Sequence, residues 1–338
     1  MIKVGIVGFG TIGKRIADAV LLQKDMKLAG VTAHSYNYRI VNAHKRGISI
    51  FSHTDKDNLI THGIPVAGDI NALCEEADII VDCAPKPYGM ENREKIYEPN
   101  NIKAILQGGE KAHAAEVSFV AQCNYQDAID KDYVRVVSCN TTGLARTIKA
   151  LDAAFGVDFV RATLIRRAAD PGQTKKGPIN SIIPSLELPS HHGPDVRTVL
   201  PHIEVFTTAV IVPTTLMHMH NLSVVLKNGT RGVEAEDVLK LFEKTPRVRV
   251  VHADQGILGT AEVMEYARDL GGKRSDMMDI CVWDKGLGMH HGELFFVQAV
   301  HQESDVVPEN IDCIRAMLGE EDAEKSMALT NKSLGMKH

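Results

Sequence analysis

No apolar run in the 338-residue sequence approaches the roughly 20 residues that a membrane-spanning helix needs. The N-terminal stretch MIKVGIVGFGTIGKRIADAV has no basic region followed by an apolar core and a small-residue cleavage site, so it reads as a strand and a helix rather than a signal peptide. None of the six cysteines (Cys74, Cys83, Cys123, Cys139, Cys281, Cys313) forms a CxxC pair, and their irregular spacing argues against a disulfide scaffold or a cysteine zinc site. Reduced thiols and the missing leader make the cytoplasm the expected compartment. Basic residues are not in excess: the formal net charge is -5, which excludes a general nucleic-acid binder but not a local basic pocket for a phosphorylated metabolite. Internal repeats and low-complexity segments are also missing.

What is present is ordinary globular material, 44% hydrophobic and 24% charged, long enough for two domains with sizeable cores. The apolar strand Ile2–Val7 runs into Gly8-Phe9-Gly10-Thr11-Ile12-Gly13. A helical stretch, Lys14–Leu22, and a second strand, Met26–Thr32, follow. Strand, glycine turn, helix and strand within about thirty residues is the context of a dinucleotide-binding turn. Gly8 would permit the tight turn, Gly10 the approach of backbone to a pyrophosphate, and Gly13 close helix–sheet packing. A purely structural glycine turn is the competing reading. Further near-continuous apolar strands are expected at Ala77–Cys83, Lys103–Gln107 and Tyr133–Ser138, with Ala84–Pro87 as a loop over the cofactor. Helical stretches between them make the first half a doubly wound, Rossmann-type α/β domain.

The second half changes character. Phe159–Arg166, His202–Val212, Leu216–Lys227 and Leu294–Val300 are rich in β-branched residues with few helices between, which predicts an α+β domain on a mixed or antiparallel sheet. The tail from Pro308 to Lys337 is helical in pattern, with Ile311, Ile314 and Leu318 on one face. The expected organisation is therefore 1–138 nucleotide-binding, 139–303 catalytic, and 304–338 as C-terminal helices packing back on the first domain.

Cys139 carries the strongest chemical signal. Ser138-Cys139-Asn140-Thr141-Thr142-Gly143 lies where a strand meets a helix, with Thr141 or Thr142 as the expected cap. A cysteine at a helix N-terminus has its thiolate favoured by the dipole. A small buried cysteine at a domain junction is the bland reading. The other five cysteines lack this setting. A nucleophilic thiol needs a base, and His218 and His220 in Thr214–Asn221 lie two apart on a strand, facing one side. Alternation does not separate them, and a structural pair remains open; a metal site is not expected because no third ligand is implied. His191-His192-Gly193 reads as a loop, either phosphate-binding or merely solvated. Arg166, Arg167, Lys175 and Lys176 concentrate basic charge within eleven residues, suited to a phosphate, with a solvated charge cluster as the competing reading.

With these residues in view, the sequence resembles the archaeal (class II) glyceraldehyde-3-phosphate dehydrogenases. VGIVGFGTIGKRIADAV, QGGEKA, VRVVSCNTTGL, RRAADPGQTKKGPINSIIP, PSHHGPDV, PTTLMHMHNL and VHQESDVVPENIDCIRA occur in the family's order along nearly the whole chain. The resemblance implies the phosphorylating oxidation of D-glyceraldehyde 3-phosphate with NAD(P)+, in glycolysis or gluconeogenesis, by a cytoplasmic homotetramer that takes inorganic phosphate and no nucleic acid or membrane partner. By motif it makes Cys139 the nucleophile and favours His218 over His220 as the base that accepts the hydroxyl proton. Thr11, Ile12, Gly109, Arg167 and Gln302 match cofactor contacts. Ser138, Cys139, Asn140, His192 and Gly193 match the substrate-binding segment. The second strand ends in Val31-Thr32-Ala33-His34-Ser35 with no carboxylate, so NADP is expected at least as readily as NAD, with Thr32, His34 or Ser35 receiving the 2′-phosphate. Ala33 departs from a lysine common in the family. A related semialdehyde dehydrogenase or acyl-phosphate reductase, and a non-enzymatic nucleotide-binding redox sensor, are the alternatives.

Overall fold

In a computed structural model of the chain, which describes all residues except Asp55, Thr174, Arg231 and His338, the polypeptide divides into two compact units. The first comprises Met1–Val137 and Val307–Leu334. The second comprises Ser138–Val306 and the residues from Gly335 on. Among the described residues no helix is long and apolar enough to cross a membrane.

The first unit is built on an eight-stranded parallel sheet. Its strands are β1 (Ile2–Val7), β2 (Met26–Ala33), β3 (Ile50–Ser52), β4 (Gly68–Asp69), β5 (Ile79–Asp82), β6 (Lys103–Leu106), β7 (Val117–Phe119) and β8 (Tyr133–Val136), in the order β4-β3-β2-β1-β5-β6-β8-β7. The chain moves outward from β1 to β4 on one side and resumes at β5 on the other. The topological switch therefore lies beside β1, where open parallel sheets bind ligands at their carboxyl ends. The strands are short and apolar because both faces are covered: Val4, Ile6, Ile79, Ile80, Val81, Ile105 and Leu106 are all buried.

Helix Gly13–Leu22 buries Ile16, Ala17, Ala19 and Val20 on one face and stops at Gln23, whose Nε2 donates to Ala19 O (2.8 Å). Helix Val307–Met317 belongs to the same unit and is buried all round, polar residues included. Its polar groups are matched within the unit: Glu309 accepts from the Ala121 amide (2.6 Å), Asp312 from Ser326 and Thr330, and Arg315 reaches Asp25. The tail breaks at Gly319, where φ is +95°, before helix Ala323–Leu334. The residues from Gly335 on group with the second unit, where Lys337 Nζ donates to Phe242 O and Val248 O (2.9 and 2.7 Å).

The second unit carries a mixed sheet. Its strands are β9 (Val157–Arg167), β10 (Ile183–Pro184), β11 (Glu204–Val212), β12 (His218–Leu226), β13 (Val248–Val251), β14 (Ile280–Trp283), β15 (Gly288–His290) and β16 (Glu293–Val300), in the order β10-β11-β9-β12-β16-β14-β13 with β15 beside β16. β11 runs parallel to β9 and β13 to β14, while β12 is antiparallel to both β9 and β16. The long strands alternate as a half-covered sheet demands. On β12, His218, His220, Leu222, Val224 and Leu226 face inward and their neighbours outward. Helix Cys139–Phe155 lies on that inner face, brought close by Gly143, where an added Cβ would stand 2.5 Å from Val300 Cγ2.

Candidate active site

The glycine turn has the stereochemistry its spacing implies. Gly8 sits at φ +85°, a Cβ on Gly13 would meet Gly8 O at 2.1 Å, and a Cβ on Gly10 would meet nothing within 4 Å. The turn thus uses one glycine for conformation, one for contact, and leaves open space at the middle one. Thr11 and Ile12 lead into helix Gly13–Leu22, which no side chain caps and whose Lys14, Arg15 and Ile16 amides donate to backbone oxygens of Gly10 and Ile12. Thr32, one expected 2′-phosphate acceptor, is instead committed to the turn: its buried Oγ1 accepts from Gly8 N (3.0 Å). His34 and Ser35 remain exposed at the end of β2. His34 packs against His53 (centroids 4.3 Å) and lies 3.4 Å from Thr54 Oγ1. Gly109 has φ +84°, and its neighbour Gly108 is tightly placed, a Cβ there falling 1.6 Å from Ala84 O.

In the second unit, Ser138 rather than Thr141 or Thr142 caps the long helix. Its Oγ accepts from Thr141 N (3.4 Å) and lies 2.9 Å from Thr141 Oγ1, which itself donates to Asp195 (2.7 Å). The threonines lie one turn too late and are fully buried. Cys139 is the first helical residue and is partly exposed. Its surroundings do not lower the thiol pKa as the helix dipole alone would. Desolvation and the Asp305 carboxylate push it up to about 12, against the pull of Arg167, the Asn140 amide and Arg166. Burial likewise raises the thiols of Cys74, Cys83, Cys281 and Cys313. All six cysteines are free.

His218 opens β12, and its Nδ1 accepts from the Arg167 backbone amide (3.0 Å). Burial, reinforced by Arg167 and neighbouring histidines, holds its pKa well below the usual value, so the ring is neutral. A neutral ring with an accepting Nδ1 carries its proton on Nε2. Whether His218 accepts the hydroxyl proton, as the family resemblance implies, depends on which nitrogen carries the ring's own proton. Nε2 is a donor unless the proton is moved to Nδ1, where the Arg167 N–H already points.

His220 differs. It is fully buried, with Nε2 2.9 Å from Asn140 Oδ1 and Nδ1 3.1 Å from Gln298 Nε2, which leaves neither nitrogen for substrate. Asn140 is also buried, and its Nδ2 stands 3.5 Å from His192 Nε2. His192 and Gly193 lie not in a loop but at the start of a short helix, His192–Val196, seated on β11. There Gly193 N donates to Thr207 Oγ1 (2.9 Å), and a Cβ on Gly193 would meet Val205 O at 2.4 Å. Burial drives the pKa of His192 down to about 2 and that of His220 to about 3.

At the end of β9, Arg166 and Arg167 each have a buried Nε without a hydrogen-bond partner. Such orphan donors are costly in a dry site and suit an incoming oxyanion. Arg167 Nη2 pairs with Asp170 (2.9 Å), and Asp170 Oδ1 also receives Gln302 Nε2 (3.3 Å). Asp170 thus joins two residues singled out separately in the sequence. Reasoning from sequence missed it, although its place three residues after Arg167 was a usable signal. Gln302 Oε1 is buried and unpartnered, an acceptor matched to a carboxamide N–H. A cavity of about 470 Å3 adjoins this region, lined by Ala169, Asp170, Gln173, Lys176, Thr214 and Thr215 among others.

Residues 138–302 match the family described as glyceraldehyde 3-phosphate dehydrogenase, C-terminal domain. The chain is 50% identical over 338 residues to a glyceraldehyde-3-phosphate dehydrogenase of Methanococcoides burtonii, covering 99% of each. It is 49% identical to that of Thermococcus kodakarensis, again over 99% of each chain. Among solved structures, aspartate semialdehyde dehydrogenase II from Vibrio cholerae superposes with a TM-score of 0.67 at 13% identity, over 95% of this chain and 100% of that one. That likeness shows a shared fold alone. The class defined is an oxidoreductase with a Rossmann-type sheet and an α+β unit bearing a cysteine at a helix N-terminus. Within it, the chain belongs to the glyceraldehyde-3-phosphate dehydrogenase family.

Proposed function

We propose that the protein catalyses the phosphorylating oxidation of D-glyceraldehyde 3-phosphate to 1,3-bisphosphoglycerate, with Cys139 as nucleophile, His218 as its partner and NAD(P)+ as oxidant. The single observation that carries this is the gathering of Cys139, the buried ring of His218 and the orphaned Nε atoms of Arg166 and Arg167 in one unit of a chain half identical to named family members. In this reading residues 1–138 bind the dinucleotide with the C-terminal helices beside them, and 139–303 do the chemistry. The open Cβ position at Gly10, the uncapped helix start at Thr11–Ile12 and Gly109 fit a dinucleotide in the first unit; Arg167 and the orphaned Gln302 Oε1 fit a nicotinamide carboxamide in the second.

The steps follow from these groups. The Cys139 thiol releases its proton to solvent and its sulfur attacks the aldehyde carbon, so a C–S bond forms and the carbonyl electron pair moves to oxygen. His218 Nε2–H donates to that oxyanion and keeps its proton, because a neutral imidazole cannot give it up to an alkoxide at reasonable cost. Asn140 supplies a second donor from the residue next to the thiol. The nicotinamide that Arg167 and Gln302 would hold supplies the oxidant, and loss of hydride from the same carbon would leave a thioester on Cys139. An oxygen of inorganic phosphate then attacks the acyl carbon, the C–S bond breaks, and the electron pair returns to sulfur. The Arg166–Arg167 cluster, with Lys175 and Lys176 following, serves the phosphate groups. Ser138, His192 and Gly193 line the substrate's approach.

NADP serves at least as well as NAD, because β2 ends without a carboxylate and His34 and Ser35 stand exposed there. The working form is a cytoplasmic homotetramer. Supporting this, Ile179, Ile182, Ile183, Leu186 and Leu188 expose 46–91% of their surface within one short stretch, more apolar area than a lone subunit ordinarily leaves to water. The deciding assay mixes protein, glyceraldehyde 3-phosphate and each cofactor, with and without phosphate, and follows nicotinamide reduction. Sustained turnover that requires phosphate or arsenate supports the proposal; no signal with either cofactor overturns it. A strong preference for NAD would overturn the cofactor assignment alone.

A further inference from the structure

Two runs of hydrogen bonds, each anchored at backbone groups whose roles are fixed, converge on Asn140. The first begins at Gly143 O, which accepts from Gln298 Nε2 (2.9 Å), while Gln298 Oε1 accepts from Thr147 (2.9 Å). That fixes the amide, so its second N–H donates to His220 Nδ1 (3.1 Å). His220 then carries its proton on Nε2 and donates to Asn140 Oδ1 (2.9 Å). The Asn140 NH2 is thereby turned toward His192.

The second run begins at Gly193 N, donating to Thr207 Oγ1 (2.9 Å), whose own proton goes to Ser190 O (2.9 Å). Thr207 can only accept from Ser190 Oγ (2.8 Å), and Ser190 Oγ in turn accepts from His192 Nδ1 (3.2 Å). His192 therefore holds its proton on Nδ1 and offers a lone pair at Nε2. The two runs, derived from opposite ends, meet with complementary polarity: N–H of Asn140 against the lone pair of His192. At 3.5 Å this junction is the longest link, and it is the one beside Cys139.

We propose that His220 is a positioning residue, which locks the Asn140 amide with its donor end toward the substrate and toward the lone pair that the Ser190 run leaves on His192. The proposal rests on Cys139 being the nucleophile, since Asn140 follows it directly. Without His220 the amide is free to flip, presenting Oδ1 to the substrate oxygen and an acceptor to an already accepting His192 nitrogen. The geometry also explains why two histidines spaced for one strand face divide their work: His218 meets substrate, while His220 orients the donor.

The test has a readout independent of turnover. Selective 15N-histidine labelling of the wild-type protein is expected to show neutral His220 protonated at Nε2 and neutral His192 protonated at Nδ1; either ring in the opposite tautomer overturns the proposal. His220→Leu is expected to split the Asn140 side-chain amide signal in 15N-asparagine-labelled protein and to slow acylation ten- to hundredfold in single turnover, with cofactor affinity unchanged and His192 still protonated on Nδ1. His220→Gln, whose amide N–H reaches the same point, is expected to restore the single Asn140 amide signal and most of the acylation rate. An unchanged single Asn140 amide signal in a folded His220→Leu protein, or a Gln variant no better than Leu, refutes the positioning role. Absence of activity in the wild type, with the tautomers as stated, would instead count against the reaction proposed above.

Discussion

The charges around Cys139 can be tested on the apoprotein, with no cofactor or substrate present. Arg167 is the strongest influence lowering the thiol pKa, and Asp305 the strongest charge raising it. A cation within a few ångströms of a thiol moves its pKa by about 1–3 units. Arg167 belongs at the low end, because its guanidinium is 22% exposed and Asp170 at 2.9 Å cancels part of its charge. Arg167→Gln should therefore raise the thiol by about one unit, cutting the thiolate fraction roughly tenfold. A more basic thiolate is also a better nucleophile, which returns about half of that loss on a logarithmic scale, so alkylation should slow about threefold. Asp170→Asn releases the full charge of Arg167 and should speed alkylation by a similar factor. The assay is iodoacetamide modification of Cys139 read by peptide mass spectrometry between pH 7 and 9, where the wild-type rate should climb with pH and show no plateau. If both variants shift the rate in one direction, or neither shifts it, the electrostatic account of this thiol is wrong.

Other outcomes follow from the same geometry. Cys139→Ser should abolish acylation while leaving nicotinamide cofactor affinity within about twofold by calorimetry, since the nucleophile is not a cofactor group. His218→Gln should retain far more acylation than His218→Ala, because the glutamine amide replaces an Nε2–H donor but not a base; equal loss in both would restore the base assignment. Gly13→Ala drives a Cβ to 2.1 Å from Gly8 O and should cost about 1–3 kcal/mol in urea unfolding along with dinucleotide binding. His192 and His220, held near pKa 2 and 3, stay neutral in the folded state while the unfolded chain takes up protons below its ordinary value near 6.5. Above that value neither state gains. Below it stability should fall by about 1.4 kcal/mol per pH unit for each ring. A urea midpoint that stays flat from pH 7 to 5 would contradict their buried, neutral state.

Local pattern was enough for much of the architecture. The first strand, glycine turn and helix were legible because φ-positive glycine, close backbone contact and apolar periodicity are all properties of adjacent residues. The expected long strands of the second half agree with β9, β11, β12 and β16 to within a few residues, since period-two burial is written in the residues themselves. Misreadings came where an end condition depended on a neighbour distant in sequence. Thr141 looked like a cap, but Ser138 stands at the helix start. Thr32 looked free for a phosphate, but Gly8 N takes it. His192 read as a loop residue because a short helix seated on Thr207 has no local signature.

The histidine pair marks the same limit most sharply. Alternation placed His218 and His220 on one face of one strand and could go no further. Their separate roles arise from what the fold sets opposite each ring, a backbone amide of Arg167 in one case and the side chains of Asn140 and Gln298 in the other. The thiol of Cys139 is similar, its titration set first by burial and then by Asp305 and Arg167, which outweigh the pull of its helix position. The fold class and the family were legible in the sequence alone, because those follow from residue type and short-range spacing. Tautomers, orphaned donors and titration behaviour were decided only by the tertiary structure, because they depend on hydrogen-bond partners and charges that distant segments bring within a few ångströms.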